Sequence, residues 1–185
     1  MRRYYVLSAV GTDRPGIVAE VSQVIFEAGC NLEDSRMALL GNQFALMILA
    51  AADDDATARR FEERCAQLGR REGDVRISLF PVEGEAAGLP PELPAPNYEI
   101  RVVGLDRAGI VFRTSKLLAA HGINIGEMET RVDPAAESGS PIFTLQAELT
   151  VPGEVDVKAL RRELEALADE LHVEISLSPA GPRFR

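Results

Sequence analysis

The chain has 185 residues, of which 46% are hydrophobic and 26% are charged, and this balance is typical of a globular protein rather than a disordered or fibrous one. Its formal net charge of −9 argues against direct binding to nucleic acid, because affinity for a phosphate backbone comes mainly from clustered Lys and Arg. No run of about 18 apolar residues could span a bilayer and no separate signal segment precedes the first patterned strand, so we expect a cytoplasmic protein without a membrane partner.

A repeat is the most informative feature of the sequence. The stretch VGTDRPGIVAEV at residues 10–21 returns 93 residues later as VGLDRAGIVFRT at residues 103–114. This offset is much longer than the period of solenoid repeats, so each copy is expected to be a domain. We predict a first domain at 1–82, a Pro- and Gly-rich linker at 83–96, a second domain at 97–179 and a tail at 180–185.

The first copy has the pattern β-α-β-β-α-β. Alternating apolar residues before the turn predict a strand, and apolar residues at helical spacing after it predict a helix that ends at Gly29. Residues 31–40 and 43–50 predict a hairpin around a Gly-Asn turn. A second helix follows the capping-type acidic run Asp53–Asp55, and alternation at 75–79 predicts the last strand.

The second copy repeats this order with a longer hairpin connection. The inserted sequence DPAAESGSP at residues 133–141 is expected to be a loop, and the second helix starts after GEVD. The order predicts the α+β class, with two ferredoxin-like domains whose helices cover one face of an antiparallel sheet. Domains of this size are marginal alone, so we expect them to associate.

The repeated turn suits a small zwitterion. It leaves a helix start whose free N–H groups and partial positive charge favour a carboxylate, and Gly16 leaves room for a ligand. Asp13 could accept hydrogen bonds from an ammonium group. Asn31 and Asn124 follow helix-to-strand connections, where we expect their amides to point along the sheet edge toward the turn. The alternatives are a helix-capping Asp13 and ordinary turn asparagines.

Other chemistries find little support in the sequence. The turn lacks the Gly-x-Gly-x-x-Gly pattern of dinucleotide-binding loops, and His121 and His172 have no neighbouring partner that suggests a triad or a metal site. Cys30 and Cys65 have neither metal-ligand spacing nor the density of a disulfide framework. The run Asp53–Asp55 is explained by the charge preference of a helix start. We therefore expect no cofactor, no metal and no catalytic residue.

The sequences GTDRPGIVAEVSQVIFEAGCNL and GLDRAGIVFRTSKLLAAHGINI resemble the signature of ACT domains, which are small modules that bind amino acids and regulate metabolism. The pair is most similar to the glycine cleavage system transcriptional repressor family. The resemblance implies that an effector sits where two ACT domains meet, against the turn of one domain and the second strand of its neighbour. The implied ligand-binding residues are Asp13, Arg14, Gly16, Ile17, Asn31, Leu32, Asp106, Arg107, Gly109, Ile110, Asn124 and Ile125.

The same resemblance implies a non-enzymatic repressor. It would restrain a DNA-binding transcription activator by protein contact and form a homo-oligomer through ACT-domain pairing, within or between chains. Glycine is the implied effector, and serine or alanine also fits a small pocket. Ala108 stands where the family usually has proline, so the second site is expected to bind more weakly or only to pack. The alternatives are an orphan regulatory subunit of an amino-acid metabolic enzyme and an oligomerisation scaffold without ligand.

Overall fold

The computed structural model describes residues 2–69, 75–82, 94–135 and 139–181. The chain divides into two compact units, Met1–Glu92 and Leu93–Arg185. Most of the predicted linker, residues 83–93, and residues 182–185 of the predicted tail lie outside the described residues. The predicted domain boundaries therefore stay predictions.

The first unit is a four-stranded antiparallel sheet with two helices. In chain order it contains β1 (Arg3–Thr12), α1 (Ile17–Ala28), β2 (Asn31–Leu40), β3 (Gln43–Ala52), α2 (Asp55–Leu68) and β4 (Val75–Val82). The strand order is β2-β3-β1-β4. Both helices pack on the face that carries Leu7, Phe44 and Ile48, all at most 2% exposed. This face forms the core because every second strand residue there is apolar.

The second unit repeats this plan, which confirms the predicted fold class. It contains β5 (Tyr98–Leu105), α3 (Ile110–Ala120), β6 (Asn124–Pro134), β7 (Pro141–Thr150), α4 (Val157–Leu171) and β8 (Val173–Pro179), in the sheet order β6-β7-β5-β8. One boundary differs from expectation: β6 continues into the predicted loop, because Asp133 pairs with Ile142 and Pro134 with Pro141. Residues 136–138 of that loop lie outside the described residues.

Helix ends follow the signals in the sequence. Asp54 caps α2 by accepting a hydrogen bond from the backbone N–H of Thr57 at 2.7 Å, and Asp156 caps α4 in the same way. Gly29 ends α1 in the left-handed region at φ 80°, which turns the chain into β2. Within the described residues, no helix has the length and apolar character needed to cross a membrane.

Candidate functional site

The turn after the first strand is tied to the neighbouring hairpin in both units. The backbone N–H of Asp13 donates to the carbonyl oxygen of Asn42 at 2.8 Å, and that of Asp106 donates to the carbonyl of Pro141 at 3.0 Å. Each bond holds the turn against the end of the sheet at which the second and third strands connect. The carboxylates of both aspartates belong to exposed residues, so they are available to a ligand.

Both first helices begin at a glycine that no described side chain caps. Gly16 lies at φ 90° and Gly109 at φ 96°, in the left-handed region that favours glycine. A Cβ added at either position would meet nothing within 4 Å, so the space beside the backbone is open. The first N–H groups of a helix have no partner inside it, and here they face this space without a capping side chain. A carboxylate is the kind of group that such a helix start attracts.

The charges around the two turns differ. Arg14 pairs with Glu20 at 2.5 Å, so its charge is largely neutralised. The corresponding Arg107 has no hydrogen bond or ion pair to any described residue. Glu20 is replaced in the second unit by Arg113, whose partner is Glu170 of α4. The second turn is therefore the more positive of the two.

Asn31 and Asn124 lie far from the turns of their own units. In the sheet register Asn31 stands opposite Ala51, which stands opposite Tyr4 at the beginning of β1. Asp13 follows the other end of β1, so about 30 Å of extended chain separates the two levels. Asn124 is likewise level with the start of β5, opposite Thr150. The expectation that these amides point toward the turn of the same domain is therefore wrong.

The reason lies in the connection between the elements. Helix α1 carries the chain back along the whole sheet, so β2 begins at the end of the sheet where β1 began. An asparagine directly after the helix consequently lies at the opposite end from the turn directly before it. The same holds for α3 and β6.

Each asparagine opens an edge strand that is interrupted by a bulge. The register shifts between Leu32 and Asp34 in β2 and between Ile125 and Met128 in β6. Bulges of this kind redirect side chains and are frequent beside functional sites. The sequence contains no local signal for these bulges, because the shift exists only in relation to the partner strand.

The surroundings of the two asparagines also differ. The Asn31 amide donates to Glu33 at 2.9 Å, and Glu33 in turn accepts from Arg2 at 2.5 Å. No such partner is found for the Asn124 side chain among the described residues. Sequence reasoning missed Glu20 and Glu33, which act as partners of predicted site residues across a turn or a bulge.

Comparisons with known proteins agree with this architecture. The family model of the ACT domain matches residues 3–69. The glycine cleavage system transcriptional repressor of Escherichia coli is 29% identical over 177 residues, which cover 96% of this chain and 90% of the repressor. A UPF0237 protein of Methanococcus maripaludis is 39% identical over 74 residues, 40% of this chain and 80% of that protein. A crystal structure ascribed to a glycine cleavage system transcriptional repressor covers 98% of this chain and 99% of its own, with 25% identity and a TM-score of 0.72.

The chain is a tandem ACT-domain protein.

Its resemblance to the glycine cleavage system repressors extends over both ACT domains. The Escherichia coli relative is named as a regulator and not as an enzyme, which supports a regulatory ACT protein here. Within one ACT domain, the residues implied as ligand-binding fall into two separate groups. The turn group comprises Asp13, Arg14, Gly16 and Ile17, and the strand group comprises Asn31 and Leu32; Asp106, Arg107, Gly109 and Ile110 are separated in the same way from Asn124 and Ile125.

Two residues of the turn groups have their side chains in the core of their ACT domain. Ile17 is 3% exposed and Ile110 is 1% exposed. They can therefore offer a ligand only backbone groups at the helix start. Leu32, in contrast, is 43% exposed at the beginning of the edge strand, where an apolar contact to a neighbouring domain is possible.

Proposed function

We propose that this protein is a cytoplasmic, non-enzymatic repressor of the glycine cleavage type, which senses a small amino acid and acts by contact with a DNA-binding transcription activator. The observation that carries the proposal is the pair of uncapped glycine helix starts, each with an exposed aspartate beside it. The similarity to the Escherichia coli repressor supports the regulatory role. The net charge of −9 favours action through another protein over direct binding to DNA.

The separation of the two residue groups argues for a site built by two ACT domains. The edge strand β2 has β3 on one side only, and its other edge is unpaired within its sheet. If the β2 edges of two ACT domains lie antiparallel, the Asn31 end of one comes next to the end of the other that carries the Asp13 turn. The turn group and the strand group then meet across the seam, and a symmetric pair forms two such sites.

The chemistry of this seam fits an amino acid. The helix start at Gly16 takes the carboxylate, Asp13 takes the ammonium group, and the Asn31 amide together with the backbone of Leu32 completes the polar contacts. Glycine has only five heavy atoms, so a ceiling of about −1.5 kcal/mol per atom limits its dissociation constant to the micromolar range at best. An affinity of this order suits a metabolite sensor.

Calorimetric titration with the twenty amino acids tests the binding step. We expect glycine, serine or alanine to bind, and Asp13→Asn or Asp106→Asn to weaken binding at the altered turn about tenfold or more, because each removes a charge-assisted contact. Asp169→Asn is the matched control, since it makes the same change on an exposed residue of α4. Absence of binding by all twenty at millimolar concentration would favour the scaffold alternative.

Affinity capture from cell extract tests the partner step. Capture of a DNA-binding regulator that glycine releases supports the proposal, and the coupling is expected to change partner affinity about 5- to 150-fold. Capture of a metabolic enzyme instead would identify a regulatory subunit. Turnover of any substrate that persists in an Asp13→Asn, Asn31→Ala variant would contradict both the site and the non-enzymatic role.

A further inference from the structure

The helix-free face of the first sheet, here called the open face, is apolar at its centre. Met47 is 55% exposed, Phe80 56% and Val10 45%, and Val6 and Leu49 beside them are half-buried. The register places Val6 between Leu49 and Phe80, so these side chains form one continuous patch across three strands. Patches of this kind on a folded domain mark contact surfaces more often than isolated apolar residues do.

The second ACT domain shows that the fold itself does not require this patch. At the positions that the sheet register makes equivalent to Val6, Leu49, Met47 and Phe80, it has Glu99, Glu148, Gln146 and Ser178. A helix-free face of this fold can therefore be polar and solvated. The apolar open face of the first domain consequently calls for a cause other than the packing of its own domain.

We propose that two copies of the chain associate through the open faces of their first sheets, stacked about a two-fold axis that lies between the sheets and perpendicular to the strands. Such an axis at the level of Leu7 keeps each strand over its own copy and reverses its direction. Leu49 then faces the partner's Met47, and Val6 faces the partner's Ser8. Two sheets packed face to face lie about 10 Å apart with their strands nearly aligned, which this arrangement satisfies.

The charges at the edge of the open face support a second copy as the occupant. Asp34 and Arg36 lie on this face two residues apart in β2, and Arg36 donates to Asp34 at 2.9 Å. The two-fold axis at Leu7 places Asp34 opposite the partner's Arg36 and Arg36 opposite the partner's Asp34. A shift of the axis by one residue would instead place Arg36 against the partner's Arg36. The charges therefore select the same register that stacks the apolar residues.

The size of the open face sets the expected strength. Four strands about 4.8 Å apart and about seven residues that rise about 3.4 Å each give roughly 450 Å² per copy. Two copies would bury about 900 Å², which is at the low end for a specific interface. The dimer is therefore expected to be weak and dependent on concentration, with a dissociation constant in the micromolar to millimolar range.

Sedimentation velocity on the full chain without added amino acids tests this proposal. Phe80→Ser and Leu49→Glu, which imitate the second domain, are each expected to raise the dissociation constant at least tenfold. Phe26→Ser is the matched control, because Phe26 is 81% exposed on α1, on the other side of the sheet, and the dimer should survive its loss. Circular dichroism and thermal unfolding would establish that all three variants fold.

The charged pair provides a second, independent readout. Asp34→Arg and Arg36→Asp are each expected to weaken the dimer, and the double exchange Asp34→Arg, Arg36→Asp should restore it. Phe80 lies on β4, three strands away from the β2 edge, so its substitution separates face stacking from pairing along β2. A chain that stays monomeric to millimolar concentration, or a dimer that persists in both Phe80→Ser and Leu49→Glu, would overturn the proposal.

Discussion

In the first ACT domain, Val21 of α1 faces the core, and the equivalent residue of α3 in the second domain is Thr114. Both side chains are at most 1% exposed. The hydroxyl of Thr114 finds no hydrogen-bond partner among the described residues, whereas Val21 brings no polar atom into its core. The same fold thus tolerates a polar atom in one core and an apolar patch on the outer face of the other domain.

This comparison separates what the duplicated fold needs from what each domain does with it. Both domains keep the left-handed glycine before the first helix and the hydrogen bond from the turn aspartate to the hairpin. They differ in the charges beside the turn and in the helix-free face of the sheet. The shared features set the backbone, and the differing ones lie on surfaces or in places where packing allows substitution.

The largest expected effect concerns Gly104, which crosses β8 closely. An added Cβ would lie 2.7 Å from Cγ1 and 3.1 Å from Cα of Val173, so the backbone of β8 would have to move. We expect Gly104→Ala to lower the free energy of unfolding of the second domain by about 2–3 kcal/mol, measured by urea denaturation. Gly153→Ala is the control, because its Cβ would meet nothing within 4 Å. A cost below about 0.5 kcal/mol would contradict the close packing.

The exchange of the two core residues sharpens the comparison directly. Thr114→Val should stabilise the second domain by about 1–2 kcal/mol, since it removes a buried hydroxyl that lacks a partner. Val21→Thr should destabilise the first domain by about 1–3 kcal/mol for the converse reason. Thermal unfolding of the two variants measures both changes. If Thr114→Val left the melting temperature unchanged or lowered it, the hydroxyl would have to be satisfied in solution.

The first domain is also expected to lose stability at high pH. Burial raises the pKa of the Cys65 thiol to about 12, with a smaller contribution from Cys30, and the side chain is 4% exposed. Because the folded state holds this proton more tightly than the unfolded state, the free energy of unfolding should fall above about pH 9, by at most about 1.4 kcal/mol per pH unit.

Urea unfolding at pH 8 and pH 10 measures this loss, with the Cys65→Ala variant as the control. We expect wild-type protein to lose about 1 kcal/mol more than the variant between these two values. An equal loss in both proteins would show that other groups determine the alkaline response.

The smallest expected effect concerns the ion pair beside the first turn. Glu20→Gln releases Arg14 and so makes the first turn resemble the second, where Arg107 has no partner among the described residues. The Arg14 side chain is 48% exposed and the Glu20 side chain 29%, so solvent screens the pair. We expect a change in unfolding free energy of no more than about 0.5 kcal/mol, which added salt removes. A loss above about 1 kcal/mol would assign this pair a structural role.

The local parts of the fold could be predicted from the sequence. Alternation in β1, the helical spacing from Ile17 to Ala28 and the caps at Asp54 and Asp156 depend on residues close together in the chain, and the structure confirms them. The repeat then supplied the second domain. The position of Asn31 relative to Asp13 could not be read in the same way, because it depends on which strands pair and in what register.

The candidate site shows the same division. Gly16 and Gly109 were predictable, since a glycine between a strand and a helix has a local conformational reason. The bulges after Leu32 and Ile125 involve a partner strand and leave no local mark in the sequence. The open face needed the structure as well, because Val6, Leu49 and Phe80 become neighbours only once three strands are aligned.

The hydrogen bond from the Asp13 N–H to the Asn42 carbonyl joins the helix start mechanically to the tip of the β2–β3 hairpin. Any rearrangement that a captured molecule imposes on the turn is therefore passed to the edge strand without a long relay. Amide exchange at Asp13 would report on both elements together, so that a single proton could reveal whether the sensing end and the pairing edge respond as one body.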